Sequence, residues 1–216
     1  MPTNKSKTAK IISVTNQKGG VGKTTTTINL AAALSQLQKK VLIIDLDPQG
    51  NATTGLGLSN LADTSKSIYG VLNGKEEIQS SIQKTNFQNL DIVTSNVDLS
   101  GLEVETADDE NRAYLLKIKL TAYLNNSSHS YDYVLIDCPP SLSLLTVMAL
   151  VASDSLVVPL QTEFFALEGI TQLIKTIDRI KVGLNPNLSV RGILLTMYDK
   201  RNRLSAQVEN LSLIHI

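Results

Sequence analysis

A doubly wound, mostly parallel α/β sheet is the fold class this sequence predicts, and three observations carry it. Short aliphatic runs recur along the chain, helical stretches lie between them, and the first run leads into a glycine-rich turn followed directly by a helix former. The runs are nearly continuous in Val, Ile and Leu, which suits strands covered on both faces better than alternating antiparallel ones. The chain has 216 residues, which fits one large domain better than two complete ones.

Taken in order, residues 1–9 are a polar lead-in, read as a flexible tail with no apolar signal region behind Met1. Ile11-Ile12-Ser13-Val14 is the first candidate strand, and Thr24 to Gln38, rich in Ala and Leu, the first helix. Val41-Leu42-Ile43-Ile44 is the second strand. The stretch from about Asn60 to Asn89 carries Gly70, Gly74 and scattered Ser, and reads equally as short helices or an elaborated loop. Leu90-Asp91-Ile92-Val93 is a weaker strand signal. Leu115 to Leu124 is helical, Tyr133-Val134-Leu135-Ile136 and Leu156-Val157-Val158 are strands, and Ile170, Leu173, Ile174, Ile177 and Ile180 fall at helical spacing. Ile193-Leu194-Leu195 closes the series. One domain over residues 10–210 is expected, incomplete at its C-terminus, with 211–216 an apolar tail of doubtful origin.

Composition narrows the class of function. Apolar residues make up 42% of the chain and charged ones 19%, which excludes disorder. Twenty basic residues balance twenty acidic ones, so any binding to nucleic acid must come from a local patch. The single Cys138 cannot build an internal disulfide framework, and no run is long enough to span a bilayer, so a cytoplasmic protein is expected. Cys138 reads as a small buried neighbour, with His129 and His215 incidental.

The strongest signal is Asn16-Gln17-Lys18-Gly19-Gly20-Val21-Gly22-Lys23-Thr24-Thr25 between the first strand and helix. Glycines let the backbone curl so that successive N–H groups face phosphate oxygens, and the helix N-terminus adds partial positive charge. Lys18, Gly19, Gly20, Val21, Gly22, Lys23, Thr24 and Thr25 are the candidate nucleotide-binding residues. Lys23 would neutralise the outer phosphates and Thr24 would place its hydroxyl on Mg²⁺. The common pattern Gly-x-x-x-x-Gly-Lys-[Ser/Thr] asks for Gly where this chain has Gln17, and the chain offers an additional Lys18. A glycine-rich turn with two solvated lysines is the bland alternative, and the ordered combination argues against it.

Two acidic strand ends complete the pattern. Asp45-Leu46-Asp47-Pro48-Gln49-Gly50-Asn51 follows the second strand, and residues two apart on a strand share a face, so both carboxylates are expected to look into one cleft. Asp137-Cys138-Pro139-Pro140-Ser141 follows an apolar run in the manner of a Walker B element. Asp45 and Asp137 join Thr24 as candidate metal-holding residues. An acid opening a Pro-containing surface turn is the alternative at both sites.

With these elements together, the chain resembles the ParA/Soj-type partition ATPases of the ParA/MinD family, P-loop NTPases with a deviant Walker A loop. The resemblance runs from about Lys10 to Gln207. It rests on the three motifs above, with Phe165-Ala166-Leu167-Glu168-Gly169 and Leu194-Leu195-Thr196-Met197-Tyr198-Asp199. It implies ATP and Mg²⁺ as cofactors, a homodimer in the ATP state, non-specific DNA binding and a nucleoid-associated location. It also implies slow hydrolysis stimulated by a ParB-type centromere-binding protein, with no stable membrane association.

Carried over by position, the resemblance implies Lys18 as the lysine acting across the dimer, Lys23 as the lysine acting in its own subunit, and Asp47 as the residue positioning the hydrolytic water. Pro48 to Ala52 and Pro139 to Ser141 would be nucleotide-sensing segments, and Lys200, Arg201 and Arg203 part of the DNA surface. The relatives usually continue for some tens of residues past Gln207, so truncation is expected. Two other functions stay open: a MinD-like membrane-localised regulator, disfavoured by an uncharged Leu211–Ile216 tail, and a metabolic member such as an amide ligase.

Overall fold

The computed structural model describes residues 9–58, 65–126, 131–162, 166–199 and 201. The chain runs β1 (Lys10–Val14), α1 (Lys23–Gln36), β2 (Val41–Asp45), α2 (Asn51–Gly55), α3 (Ile68–Leu72), α4 (Ile78–Ser81), β3 (Ile82–Lys84) and β4 (Leu90–Val93). It continues with α5 (Leu102–Glu105), α6 (Leu115–Asn126), β5 (Tyr133–Asp137), α7 (Leu144–Ala152), β6 (Ser155–Gln161), α8 (Ala166–Gly183) and β7 (Ser189–Thr196). The strands form one sheet in the order β3-β4-β2-β5-β1-β6-β7. All pair in parallel except β3, which runs antiparallel to β4. The expected fold class is the observed one.

Alternate residues of the central strands feed two cores, as the two-residue period of a strand requires. Leu42 and Ile44 of β2 join Val134 and Ile136 of β5 in one layer, closed by Leu116 and Leu120 of α6 and Leu145, Met148 and Ala149 of α7. Val41 and Ile43 join Leu135, Ile12 and Ile92 in the other, closed by Ala31 and the half-buried Ile28 and Leu34 of α1. Leu173, Ile177 and Ile180 of α8 bury a third cluster against Leu156 and Val158 of β6.

α1 buries Lys23, Thr27, Ala31 and Ser35, a stripe of one small or polar residue per turn in place of an aliphatic one. That stripe brings the helix, and the loop feeding it, close to the sheet. The open stretch before β4 resolves into α3, α4 and β3, with residues 59–64 outside the described set. β3 is an addition to the expected strands, and so is α7 to the expected helices. The tail residues 1–8 and Leu211–Ile216, the histidines His129 and His215, Phe165, and the side chain of Ile170 also lie outside the described residues.

Candidate functional site

Parallel pairing brings the carboxyl ends of the strands to one edge, and there Val14 stands beside Asp137, and Asp137 beside Asp45, in register. The backbone links continue past the strands: Leu46 N–H donates to the Asp137 carbonyl at 2.9 Å, and Thr15 N–H to the Val157 carbonyl at 3.1 Å. The loop after β1 turns into α1 through Gly22, whose φ of 88° is left-handed and whose position no side-chain cap serves. α1 has no acidic residue in its first turn, so its positive N-terminal end faces the loop uncompensated.

A cavity of about 490 Å³ opens over this loop. Gly19, Gly20, Gly22, Lys23, Thr24 and Thr25 line it, together with Asp47, Gln49 and Asn51 after β2 and Pro140 after β5. Three separate sequence motifs thus meet on one hollow. Lys23 is buried, and its Nζ donates to the Lys18 carbonyl at 2.8 Å, closing the loop on itself. Burial pushes its pKa down, against the opposing pull of Asp137, Cys138 and Asp47. Val21 is buried beneath the loop, while Lys18 is exposed and outside the cavity lining.

The two acids after β2 part company. β2 ends at Asp45, so Asp47 belongs to the following turn, and of the pair only Asp47 lines the cavity. Its Oδ1 accepts the Gln49 N–H at 3.0 Å, which shapes the turn. Asp45 is fully buried and committed elsewhere: Oδ2 accepts both the N–H (2.8 Å) and the hydroxyl (2.7 Å) of Thr53, and Oδ1 accepts the Asp47 N–H. The Thr53 hydroxyl in turn accepts the Ser95 N–H at 3.0 Å, tying α2 to the end of β4. Gly50 makes this turn possible, with φ 61° and a Cβ position only 3.2 Å from the Ser95 carbonyl oxygen.

Asp137 is also fully buried. Its Oδ1 accepts the Thr27 hydroxyl at 3.0 Å, while Oδ2 has no hydrogen-bond partner. Burial raises Asp137 to about 7, with Asp45 and Asp47 adding repulsion and the nearby Thr24 and Thr27 hydroxyls opposing it. Burial likewise raises Asp45 to about 6. A buried carboxylate with a spare oxygen beside a threonine hydroxyl matches what a small hard cation asks for, one or two protein oxygens with water and phosphate completing the shell. Among the described residues no group of three or more Asp, Glu, His or Cys converges on a metal position. Thr24 and Asp137 fit that limited role, whereas Asp45 spends both oxygens on its own turn.

Cys138 is 1% exposed, with its thiol pushed up by burial, and is a packing residue. Arg201 is exposed, and its guanidinium holds both Asp199 oxygens, at 3.1 Å and 2.9 Å. Lys200 and Arg203 lie outside the described residues, so only Arg201 of that basic cluster has a described position. Sequence reasoning overlooked Thr27 and Thr53 as partners of the buried acids. Thr27 carries a readable signal, standing one helical turn after Lys23 on the buried stripe.

Residues 9–190 match the family model of an AAA domain. The chain is 50% identical to the chromosome partitioning protein ParA of Caulobacter vibrioides over 92% of its own length and 73% of that protein. It is 48% identical to the sporulation initiation inhibitor protein Soj of Bacillus subtilis, over 92% and 77%. Among solved structures, a cobyrinic acid a,c-diamide synthase of Mycobacterium smegmatis with bound ADP and magnesium superposes with a TM-score of 0.86 at 36% identity, covering 96% of this chain and 82% of that one. A plasmid partition protein of Borrelia burgdorferi gives 0.81 at 30%, over 95% and 85%.

Proposed function

The chain belongs to the ParA/Soj family of partition ATPases, and from that premise we propose that it is a nucleotide switch that segregates DNA. ATP binding joins two copies into a dimer that holds DNA non-specifically, and hydrolysis, stimulated by a ParB-type partner, releases it. The protein works in the cytoplasm, on the nucleoid. The observation that carries this reading is the single cavity shared by the phosphate loop, the Asp47 turn and the Pro140 turn. It lets one ligand be felt by two segments that follow different strands.

Phosphoryl transfer asks a protein mainly for positioning and charge neutralisation. The loop N–H groups and Lys23 cradle and neutralise the phosphates. Asp47, buried at 6% exposure yet lining the cavity, orients the attacking water. Thr24, with Asp137 acting through water and Asp45 behind it, would hold magnesium, which would supply positive charge at the phosphate oxygens. Lys18 is exposed and does not line its own cavity, and it serves the nucleotide of a second copy. Arg201 contributes to DNA binding, with Lys200 and Arg203, once released from Asp199.

Sizing of the Asp47→Ala protein tests this reading, with ADP and with ATP plus Mg²⁺, followed by DNA retention at low and high salt. The expected result is an ATP-dependent dimer that binds nucleotide, does not turn it over, and retains DNA only at low salt. Unchanged turnover removes Asp47 from its role, and a monomer in both nucleotides removes the dimer switch. The likeness to a diamide synthase favours an ATP-driven amide ligase as a second reading. Phosphate release with no carboxylic acid acceptor present separates the two.

A further inference from the structure

The phosphate loop is tethered by three side-chain hydrogen bonds to the β6–α8–β7 side of the sheet. Asn16 donates from Nδ2 to the Pro159 carbonyl at 2.7 Å, and its Oδ1 accepts the Lys18 N–H at 3.1 Å. Gln17, standing where the common loop pattern has glycine, donates from Nε2 to the Gly169 carbonyl at 3.3 Å. The third tether reaches furthest along the chain: the Thr196 hydroxyl, at the end of β7, donates to the Val21 carbonyl at 2.8 Å. The Thr196 methyl lies 3.6 Å from the point where a Cβ on Gly22 would stand, so it packs over the glycine at the helix start.

The Val21 carbonyl and the Gly22 N–H belong to one planar trans peptide and point in opposite directions. Gly22 lines the cavity. Holding the carbonyl toward β7 therefore fixes the Gly22 N–H on the side away from β7, in the first turn that must meet phosphate. Val21 is 1% exposed and Thr196 half-buried, so the bond is partly shielded from water and its loss is only incompletely made good by solvent. Directly after Thr196 the backbone enters a left-handed conformation at Met197, φ 52°, an arrangement a non-glycine residue keeps only when its surroundings impose it. The end of β7 is thus set by something other than its local preference, and the Thr196–Val21 bond is one contact made there, beside the pairing of Thr196 with Gln161 of β6.

We propose that Thr196 is a positioning residue for nucleotide binding, acting through the Val21–Gly22 peptide to hold the phosphate loop in its binding shape. The proposal rests on the ATPase reading above. It distinguishes Thr196 from a strand-end residue that only packs, because the hydroxyl and the methyl act on different atoms of the loop.

Titration of a fluorescent ATP analogue with Mg²⁺ tests it on the wild-type, Thr196→Val and Thr196→Ser proteins, alongside ATPase kinetics. Loss of the hydroxyl in Thr196→Val is expected to weaken nucleotide binding about tenfold, the scale of one partly buried hydrogen bond left unmade. KM is expected to rise in step with kcat little changed, since the loop grips ground state and transition state alike. Thr196→Ser keeps the hydroxyl and is expected to stay within about twofold of wild type on the same reasoning. Thr196→Ala serves if the valine variant does not fold. Wild-type affinity in whichever hydroxyl-free variant folds overturns the proposal, as does equal loss in Thr196→Ser. A wild-type protein that binds no nucleotide overturns the ATPase reading instead.

Discussion

Asp137 offers two oxygens in different states, one held by Thr27 and one buried without a partner. Its pKa stands at about 7 and that of Asp45 at about 6, both above the ordinary 3.8. A carboxyl raised by folding contributes stability when protonated. That contribution is complete below the ordinary value and is lost as pH rises through 6 and 7. Asp137→Asn removes the charge that burial opposes. In the nucleotide-free protein with a chelator present, the melting temperature of the variant is expected to gain on wild type as pH climbs through that window. A difference that stays constant with pH assigns the burial of Asp137 no such cost. The acids themselves are legible in the sequence because each ends an apolar run. Their division of labour is not, because it depends on where β2 stops and on a threonine in the next helix.

The elements that the sequence announces are those with a one-sided or two-sided pattern strong enough to survive without neighbours. β2 and β5 read as strands because they are aliphatic almost throughout, and α8 reads as a helix because its apolar residues keep one face. α7 escapes for the opposite reason: seven of its nine residues are buried, so it has no polar face to set a period. β3 has three residues and finds its register only through β4. α7 is also finished by a residue far along the chain. Asn185, 5% exposed, donates from Nδ2 to the carbonyls of Leu150, Val151 and Ser153 at 2.9, 3.3 and 2.8 Å. Asn185→Ala takes this donor from the Val151 and Ser153 carbonyls and leaves Leu150 with only the long Ser153 N–H, and is expected to cost about 2 kcal/mol in urea unfolding. A loss below about 0.5 kcal/mol, the range of ordinary surface changes, contradicts this capping role.

On the scale of the whole molecule, a formal charge of zero leaves the proposed DNA binding to local groups. Each phosphate neutralised steepens the salt dependence by about 0.9 in a log–log plot, and the proposed dimer would present every basic residue twice. Arg201→Ala is therefore expected to lower the magnitude of that slope by about 2 in the ATP-bound state. An unchanged slope, with affinity also unchanged, means that Arg201 stays with Asp199 and takes no part.

The strand order sets a timetable as well as a shape. β1, the earliest of the described strands in the chain, lies between β5 and β6, whose paired residues come more than a hundred positions later. At synthesis rates of about 5–20 residues per second, that is a wait on the order of 10 s. Through that interval Ile12 and Val14 have no sheet to enter, and the loop that follows them has neither Asp137 nor Thr196 to rest against. β2 and β4 can pair meanwhile. The nucleotide site thus forms on a nascent chain long after its loop is made, and nucleotide cannot help until β5 and β6 have closed around β1.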